Sequence, residues 1–210
     1  MEYKNVTLIE YPIVKRELTR LRDKKTSPEF FRAAVNRLSI ILAAEISKKF
    51  MLKEIEIETP LEKSKGFELD QEVILVPILR AGLGMVNGFL EVIPDAKVGH
   101  VGMERDETTL EPKSYYFKIP STIKNTFIII LDPMLATGGS IVATISKLKQ
   151  NGIKYCVFAS LVSAPEGIKK LYKTHPDVEI FTTSIDRELN NKGYILPGLG
   201  DAGDRTFGTL

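Results

Sequence analysis

Apolar positions change their spacing after about residue 70, and that change organises the chain. Before it the spacing is mostly helical. Phe30, Phe31, Ala34, Val35, Leu38, Ile41, Leu42 and Ile46 recur at the interval that lines one helix face. Ser27-Pro28-Glu29 supplies a capping hydroxyl, a proline at the first helical position and an acid in the first turn. This predicts a long helix to about Phe50, preceded by a shorter one over Tyr11 to Arg22. Ile55 and Ile57 alternate with glutamates, which predicts a half-exposed strand ending before Thr59-Pro60.

After residue 70 the chain turns to short apolar runs, several followed by a loop and a helix. VILVPIL (73–79) leads through RAGLG into a helix near Met85–Val92, and AKVGHVGM (96–103) reads as a second strand. TFIIIL (126–131) leads through a small-residue loop into a helix, Ser140–Gln150, closed by Asn151-Gly152. KYCVFASLV (154–162) leads through Ala164-Pro165 into a helix ending near His175-Pro176, and VEIFTTSI (178–185) is a last strand. Strands apolar on both faces and alternating with helices predict an α/β fold with a parallel sheet. The tail ELNNKGYILPGLGDAGDRTFGTL is rich in Gly, Pro, Asn and Asp and is expected to be an ordered loop or cap without regular elements.

The 210 residues, 43% of them hydrophobic, suit a single domain with a substantial core. The formal charge of +2 is interspersed, so nucleic acid is not the expected partner, whereas a small anion needs only a few placed arginines. The acidic N-terminus does not read as a secretory signal. No run approaches the ~20 apolar residues of a membrane span. A cytoplasmic protein without membrane partners is expected. Cys156 lies in an apolar run and reads as a buried thiol, and His100 and His175 stand too far apart to suggest a zinc site.

In an open parallel sheet, ligands bind at the carboxyl ends of the strands. Three loops fall there: Leu79–Gly84, Met103–Pro112 and Asp132–Gly139. The last opens a helix, where unpaired N–H groups and the helix dipole favour an anion. Its glycines permit close approach, and Thr137 and Ser140 offer hydroxyls. It carries no lysine after the glycines, so it does not match the ATP-binding loop, and it is not the G-x-G-x-x-G of the dinucleotide fingerprint. A monophosphate pocket fits; a plain strand–helix turn with a capping serine is the alternative. Asp132 would repel a phosphate but would accept hydrogen bonds from vicinal hydroxyls. Ribose 5-phosphate has both groups in that layout.

LDPMLATGGS (131–140) resembles the 5-phosphoribosyl 1-diphosphate (PRPP) motif of the type I phosphoribosyltransferases, in its uracil branch. VPILRAGLGM (76–85), VGMERDETTLEP (101–112), SAPEGI (163–168), HPDVEI (175–180), SID (184–186) and GYILPGLGDAGDRTFGT (193–209) are similar to the same branch, in the same order. The resemblance runs from about Val73 to the C-terminus and continues more weakly before it. It implies one domain over 1–210: N-terminal helices and a β-arm (1–70), a core sheet (71–187) and a loop-rich hood (188–210). The implied reaction is uracil + PRPP → UMP + diphosphate, with Mg²⁺ held mainly by PRPP and a homodimer or homotetramer as the assembly. Some members respond to GTP.

Residue by residue, the resemblance gives the ribose 5-phosphate to Asp132, Pro133, Met134, Leu135, Ala136, Thr137, Gly138, Gly139 and Ser140. Arg80 and Arg105 would take the diphosphate, the second from a closing loop. Ile195, Gly200, Asp201 and Ala202 would hold uracil, with Asp201 also facing PRPP, and Arg80, Arg105 and Asp132 would stabilise the transition state. A non-proline cis peptide at Leu79–Arg80 is also implied. The wider family usually has a second acid where this chain has Pro133, and an acid where it has Ala136; the uracil branch shares both departures. Glu104 stands where that branch often has an aromatic. A nucleotide-sensing regulator without activity, and a transferase for another base, remain alternatives.

Overall fold

The run VILVPIL lies at the centre of an eight-stranded sheet in the computed structural model, which describes residues 3–105, 112–121 and 125–209, the side chains of Arg105 and Pro112 excepted. Along the chain, β1 (Val6–Leu8) precedes α1 (Pro12–Arg22) and α2 (Pro28–Ser47). α2 carries the predicted proline in its first turn, though Ser27 at its N-cap makes no side-chain cap bond, and α1 also starts on a proline. α2 buries Phe31, Ala34, Val35, Leu38, Leu42 and Ile46, the stripe read from the sequence. β2 (Leu52–Glu58) and β3 (Lys63–Leu69) form a separate antiparallel hairpin, the β-arm. Its second strand, KSKGFEL, was not predicted, because three lysines and glutamates in seven mostly exposed residues leave no apolar alternation to read.

β4 (Glu72–Leu79) is followed by α3 (Leu83–Val92), β5 (Lys97–Val98), β6 (His100–Arg105) and β7 (Pro112–Lys118). The single strand expected over 96–103 is therefore two strands broken at Gly99. The expected loop Met103–Pro112 is shorter than anticipated: its first three residues belong to β6 and its last to β7, while 106–111 lie outside the described residues. β8 (Thr126–Leu131), the two-residue β9 (Met134–Leu135) and α4 (Gly139–Gln150) come next. β10 (Cys156–Ser160), β11 (Val162–Ser163), α5 (Pro165–Thr174) and β12 (Glu179–Thr182) complete the core.

The sheet order is β1-β12-β10-β8-β4-β6-β7, with β5 also on β4. All these pairings are parallel except β6–β7, which adds an antiparallel edge to the predicted parallel sheet. β4, β8 and β10 are buried on both faces, as their unbroken apolar runs require. One face packs on α1, α2 and α3; the other packs on α4 and α5. Each fully buried Leu, Ile or Phe contributes about 1.5–3 kcal/mol, so these two layers hold the strand ends in fixed relation.

The tail is more regular than its composition suggests. It holds a short antiparallel pair, β13 (Glu188–Leu189) with β14 (Ile195–Leu196), and a helix, α6 (Ala202–Phe207). The expectation of no regular element fails because local caps replace propensity. The Asp201 carboxylate accepts from the Asp204 N–H at 2.9 Å to start α6, and Gly208 (φ 70°) ends it.

Candidate active site

β4 and β8 are neighbours in register, with Pro77 opposite Leu131, so the loops that leave them emerge side by side. Leu79 and Arg80 are joined by the expected cis peptide. Gly82 then folds so tightly onto the strand ends that an added Cβ would sit 2.3 Å from the Leu131 carbonyl oxygen. β6, which ends at Arg105, lies on the other side of β4. The three loop origins are thus adjacent along one edge of the sheet.

The loop 132–139 is held by main chain rather than by side chains. Met134–Leu135 pairs with Val162–Ser163, the Pro133 carbonyl accepts from the Leu161 and Val162 N–H groups, and the Leu135 carbonyl accepts from Ala164 at 2.8 Å. From the other side α5 presses against it: a Cβ on Gly167 would lie 2.4 Å from the Ala136 carbonyl oxygen. Gly138 adopts φ 77° and is the N-cap of α4, with no side-chain cap bond. At the start of α4 only a long contact, Gly139 N–H to Thr137 Oγ1 at 3.5 Å, reaches a side chain, and Ser140 lies inside the helix rather than at its N-cap, so the turn is not serine-capped. Pro133, Leu135 and Gly138 are buried, whereas Met134, Ala136, Thr137, Gly139 and Ser140 are partly open.

Asp132 sits at the head of this loop. Its N–H donates to the Ala159 carbonyl at 3.2 Å, and its Oδ1 accepts from the Met134 N–H at 3.3 Å. Burial pushes the carboxyl up to about 7, the Met134 N–H partly opposes that shift, and the nearby Asp201 charge adds to it. A single weak backbone donor does not satisfy a carboxylate in such a position. The group has acceptor capacity left for further donors.

The tail closes the other side. The turn at Gly193 comes within contact of Thr137, since a Cβ there would lie 3.5 Å from the Thr137 Cγ2. The Leu189 N–H donates to Glu166 Oε1 at the start of α5. Arg80, itself exposed, donates from Nη2 to Asp204 Oδ1 at 2.9 Å. Ile195 is buried in β14; Gly200 (φ 81°) and Asp201 are exposed, and Ala202 is buried at the start of α6. Asp201 does double duty as the α6 cap and as a charge felt by Asp132.

Of the residues singled out from the sequence, 132–140, Arg80 and the 195–202 segment come to one end of the sheet. Arg105 reaches the same edge by its backbone, and its side chain lies outside the described residues. Sequence reasoning missed Asp204, which pairs with Arg80, and Gly167, which shapes the phosphate loop. It also missed Asp186, whose side chain is 1% exposed and paired with Arg22. Asp204, Gly167 and Asp186 lay inside quoted motifs, but no spacing rule marked their partners. Cys156 is buried, as expected, and burial pushes its thiol up to about 12, far from nucleophilic use.

Comparison with known proteins fits this geometry. The model of the family described as "Uracil phosphoribosyltransferase" matches residues 8–209. A uracil phosphoribosyltransferase of Dictyoglomus thermophilum is 52% identical over 205 residues, covering 97% of this chain and 99% of its own. One of Clostridium tetani is 53% identical over 205 residues, covering 97% and 98%. A solved Aquifex aeolicus protein superposes with a TM-score of 0.91 at 38% identity, over 96% of this chain and 97% of that one. A hypoxanthine phosphoribosyltransferase of Staphylococcus aureus shares the fold at a TM-score of 0.53 and 12% identity, over 75% and 76%. With a glycine-rich loop at the sheet edge, a tail folded over it and relatives alike over nearly their whole length, the chain belongs to the uracil phosphoribosyltransferase family.

Proposed function

We propose that this enzyme transfers the phosphoribosyl group of PRPP to uracil, giving UMP and diphosphate in pyrimidine salvage. The observation that carries the reading is the arrangement around Asp132. An underused carboxylate stands at the head of a loop whose helix start is capped by a glycine and met only by a long Thr137 contact, and a backbone-rich tail faces both. A sugar phosphate carrying a base supplies a partner for each.

In this reading the N–H groups and hydroxyls of residues 136–140 hold the 5-phosphate, and Pro133, Met134 and Leu135 form the rigid stem of that loop. Asp132 accepts from the ribose hydroxyls. The C1–O bond to diphosphate breaks as the C1–N1 bond to uracil forms, and the N1 proton is released. Charge that develops on the leaving oxygens is met by the planar forks of Arg80 and Arg105. Mg²⁺ fits as a substrate-held ion. No cluster of three or more metal-ligating side chains occurs among the described residues, and Asp132 and Asp201 can meet the water shell that Mg²⁺ retains. When bound, the ion adds Lewis-acid stabilisation of the leaving group.

Base selection falls to main chain. Uracil offers O2 and O4 as acceptors and N3–H as a donor. The Asn190 N–H donates to the Tyr194 carbonyl and the Arg187 N–H to the Leu196 carbonyl, on either side of Ile195. By the alternation of an antiparallel pair, the Ile195 carbonyl turns away from β13 and can take N3–H. The Gly200 and Ala202 N–H groups then take the oxygens. Cytosine would reverse two of these pairs, and mismatches of this kind reject by about 10⁴-fold.

The β2–β3 arm exposes Leu61, Phe67 and Ile57, apolar surface that supports a homodimer or homotetramer in the cytoplasm. Among the described residues no helix is long and apolar enough to cross a membrane. The deciding assay supplies PRPP and Mg²⁺ with uracil, cytosine or hypoxanthine separately and follows nucleotide formation, with and without GTP as activator. UMP alone is expected. No nucleotide from folded protein would favour the sensing regulator, and IMP would favour the purine reading.

A further inference from the structure

The N-terminal helix ends directly beneath the tail, and two arginines bind them together. Arg22, the last residue of α1, forks onto Asp186 with Nη1–Oδ2 at 2.7 Å and Nη2–Oδ1 at 2.6 Å. The same guanidinium donates to the Gly198 carbonyl at 2.9 Å and the Ser184 hydroxyl at 3.0 Å. Asp186 in turn accepts from Ser184 Oγ at 2.7 Å and from the Gly198 N–H at 2.8 Å. Both main-chain groups of Gly198 are thus fixed by one ion pair whose carboxylate is buried and whose guanidinium is partly open. Gly198 has φ 60°, and a Cβ on it would lie 2.2 Å from the Ile195 carbonyl oxygen, so the turn is folded onto the group assigned to N3–H. Arg205 anchors the far end of the segment, donating to the Leu199 carbonyl at 2.7 Å, the Asp23 carbonyl at 2.7 Å and the Leu21 carbonyl.

We infer that Arg22, acting through Asp186 and Gly198, is a positioning residue for base recognition: it sets where the Ile195 carbonyl and the Gly200 N–H stand relative to each other. This rests on the uracil site proposed above. None of the Arg22 partners belongs to residues 132–140. Asp186 and Ser184 link to that loop through the main chain of Ser163, in the strand paired with Met134–Leu135, and this link needs no guanidinium. Its effect should therefore separate base from PRPP. Ser184, Asp186 and Gly198 form a connected polar unit in which one displaced member moves the rest.

The test uses Arg22→Met, Arg22→Lys and Ser184→Ala in the full chain, with steady-state kinetics for each substrate and a melting curve for each variant. Wild-type formation of UMP is measured first; its failure would overturn the uracil reading itself. Given that activity, Arg22→Met should raise KM for uracil about tenfold, the scale of one misplaced hydrogen bond, with KM for PRPP within about twofold. Preference for uracil over cytosine should fall in the same variant, and Arg22→Lys should recover part of both. Unchanged uracil KM, or equal losses for both substrates tracking the melting curve, would overturn the inference. Should Arg22→Met not fold, Ser184→Ala decides: a smaller selective rise in uracil KM supports the role, and none refutes it.

Discussion

Arg80 at the end of β4 and Asp204 on α6 are joined by a hydrogen-bonded ion pair of 2.9 Å, linking the sheet edge to the tail. The pair is largely exposed, 56% and 32% for the two side chains, so solvent screens it and its contribution to stability is small. Its importance is competitive. The carboxylate occupies the fork that a diphosphate would take. Asp204→Asn is expected to tighten diphosphate binding by roughly two- to fivefold, a change of the size exposed ion pairs support, read by calorimetric titration. Weaker binding would mean that Asp204 orients Arg80 rather than competing for it.

Asp132, raised to about 7 mainly by burial, predicts a pH dependence of opposite sign for ligand and fold. Hydroxyls bind its ionised form, so UMP affinity should rise as pH passes upward through about 7. Measured against Asp132→Asn, which cancels the titration of the nucleotide's own phosphate, the gain should be about ten- to hundredfold. The ligand-free fold behaves the other way. Below the ordinary value of 3.8 the carboxyl is neutral folded and unfolded, and no penalty exists. Between there and about 7 only the unfolded chain ionises, so stability falls, and above that the penalty is complete. Asp132→Asn should therefore melt higher than wild type at pH 8 without ligand and equally below pH 3.8.

Arg105 closes β6 at the edge beside β4. In the proposed reaction it meets charge only when diphosphate departs, so it should matter little to bound product. Arg105→Ala is expected to lower kcat by about 10²–10³-fold while UMP binding stays nearly unchanged. Equal losses in kcat and UMP affinity would assign it to ground-state binding instead.

Gly167 gives a steric test of the phosphate loop. The 2.4 Å approach of an added Cβ is to the Ala136 carbonyl, main chain that cannot swing aside as a side-chain end would. Gly167→Ala should destabilise the fold by about 1–3 kcal/mol and raise KM for PRPP more than KM for uracil. An unchanged PRPP KM would show that the loop relaxes without loss of its geometry.

The sequence was most readable where one physical signal dominated. α2, from its apolar stripe and its Ser27-Pro28-Glu29 start, and the doubly buried β4, β8 and β10, from their apolar runs, followed from local pattern. The small-residue loop between β8 and α4 was readable because glycines before a helix have few structural uses. The rest depended on partners distant in the chain. β7 and β3 are polar edge strands whose pairing no local pattern announces. α6 exists because Asp201 caps it, and that cap is visible only once its helix is known. Arg22 looks like an ordinary helix-end arginine until Asp186, 164 residues later, is placed beside it.

That separation has a consequence for how the protein is made. Chains emerge from the ribosome N-terminus first, and α1 appears long before the residues it must clasp. Arg22 waits for Asp186 and Gly198, and the Leu21 carbonyl waits for Arg205 across 184 positions. The sheet and the loop 132–139 can assemble from earlier segments; the tail, and with it the proposed base-reading surface, cannot. A nascent chain should thus acquire its sugar-phosphate site during synthesis and its choice of base only at the end.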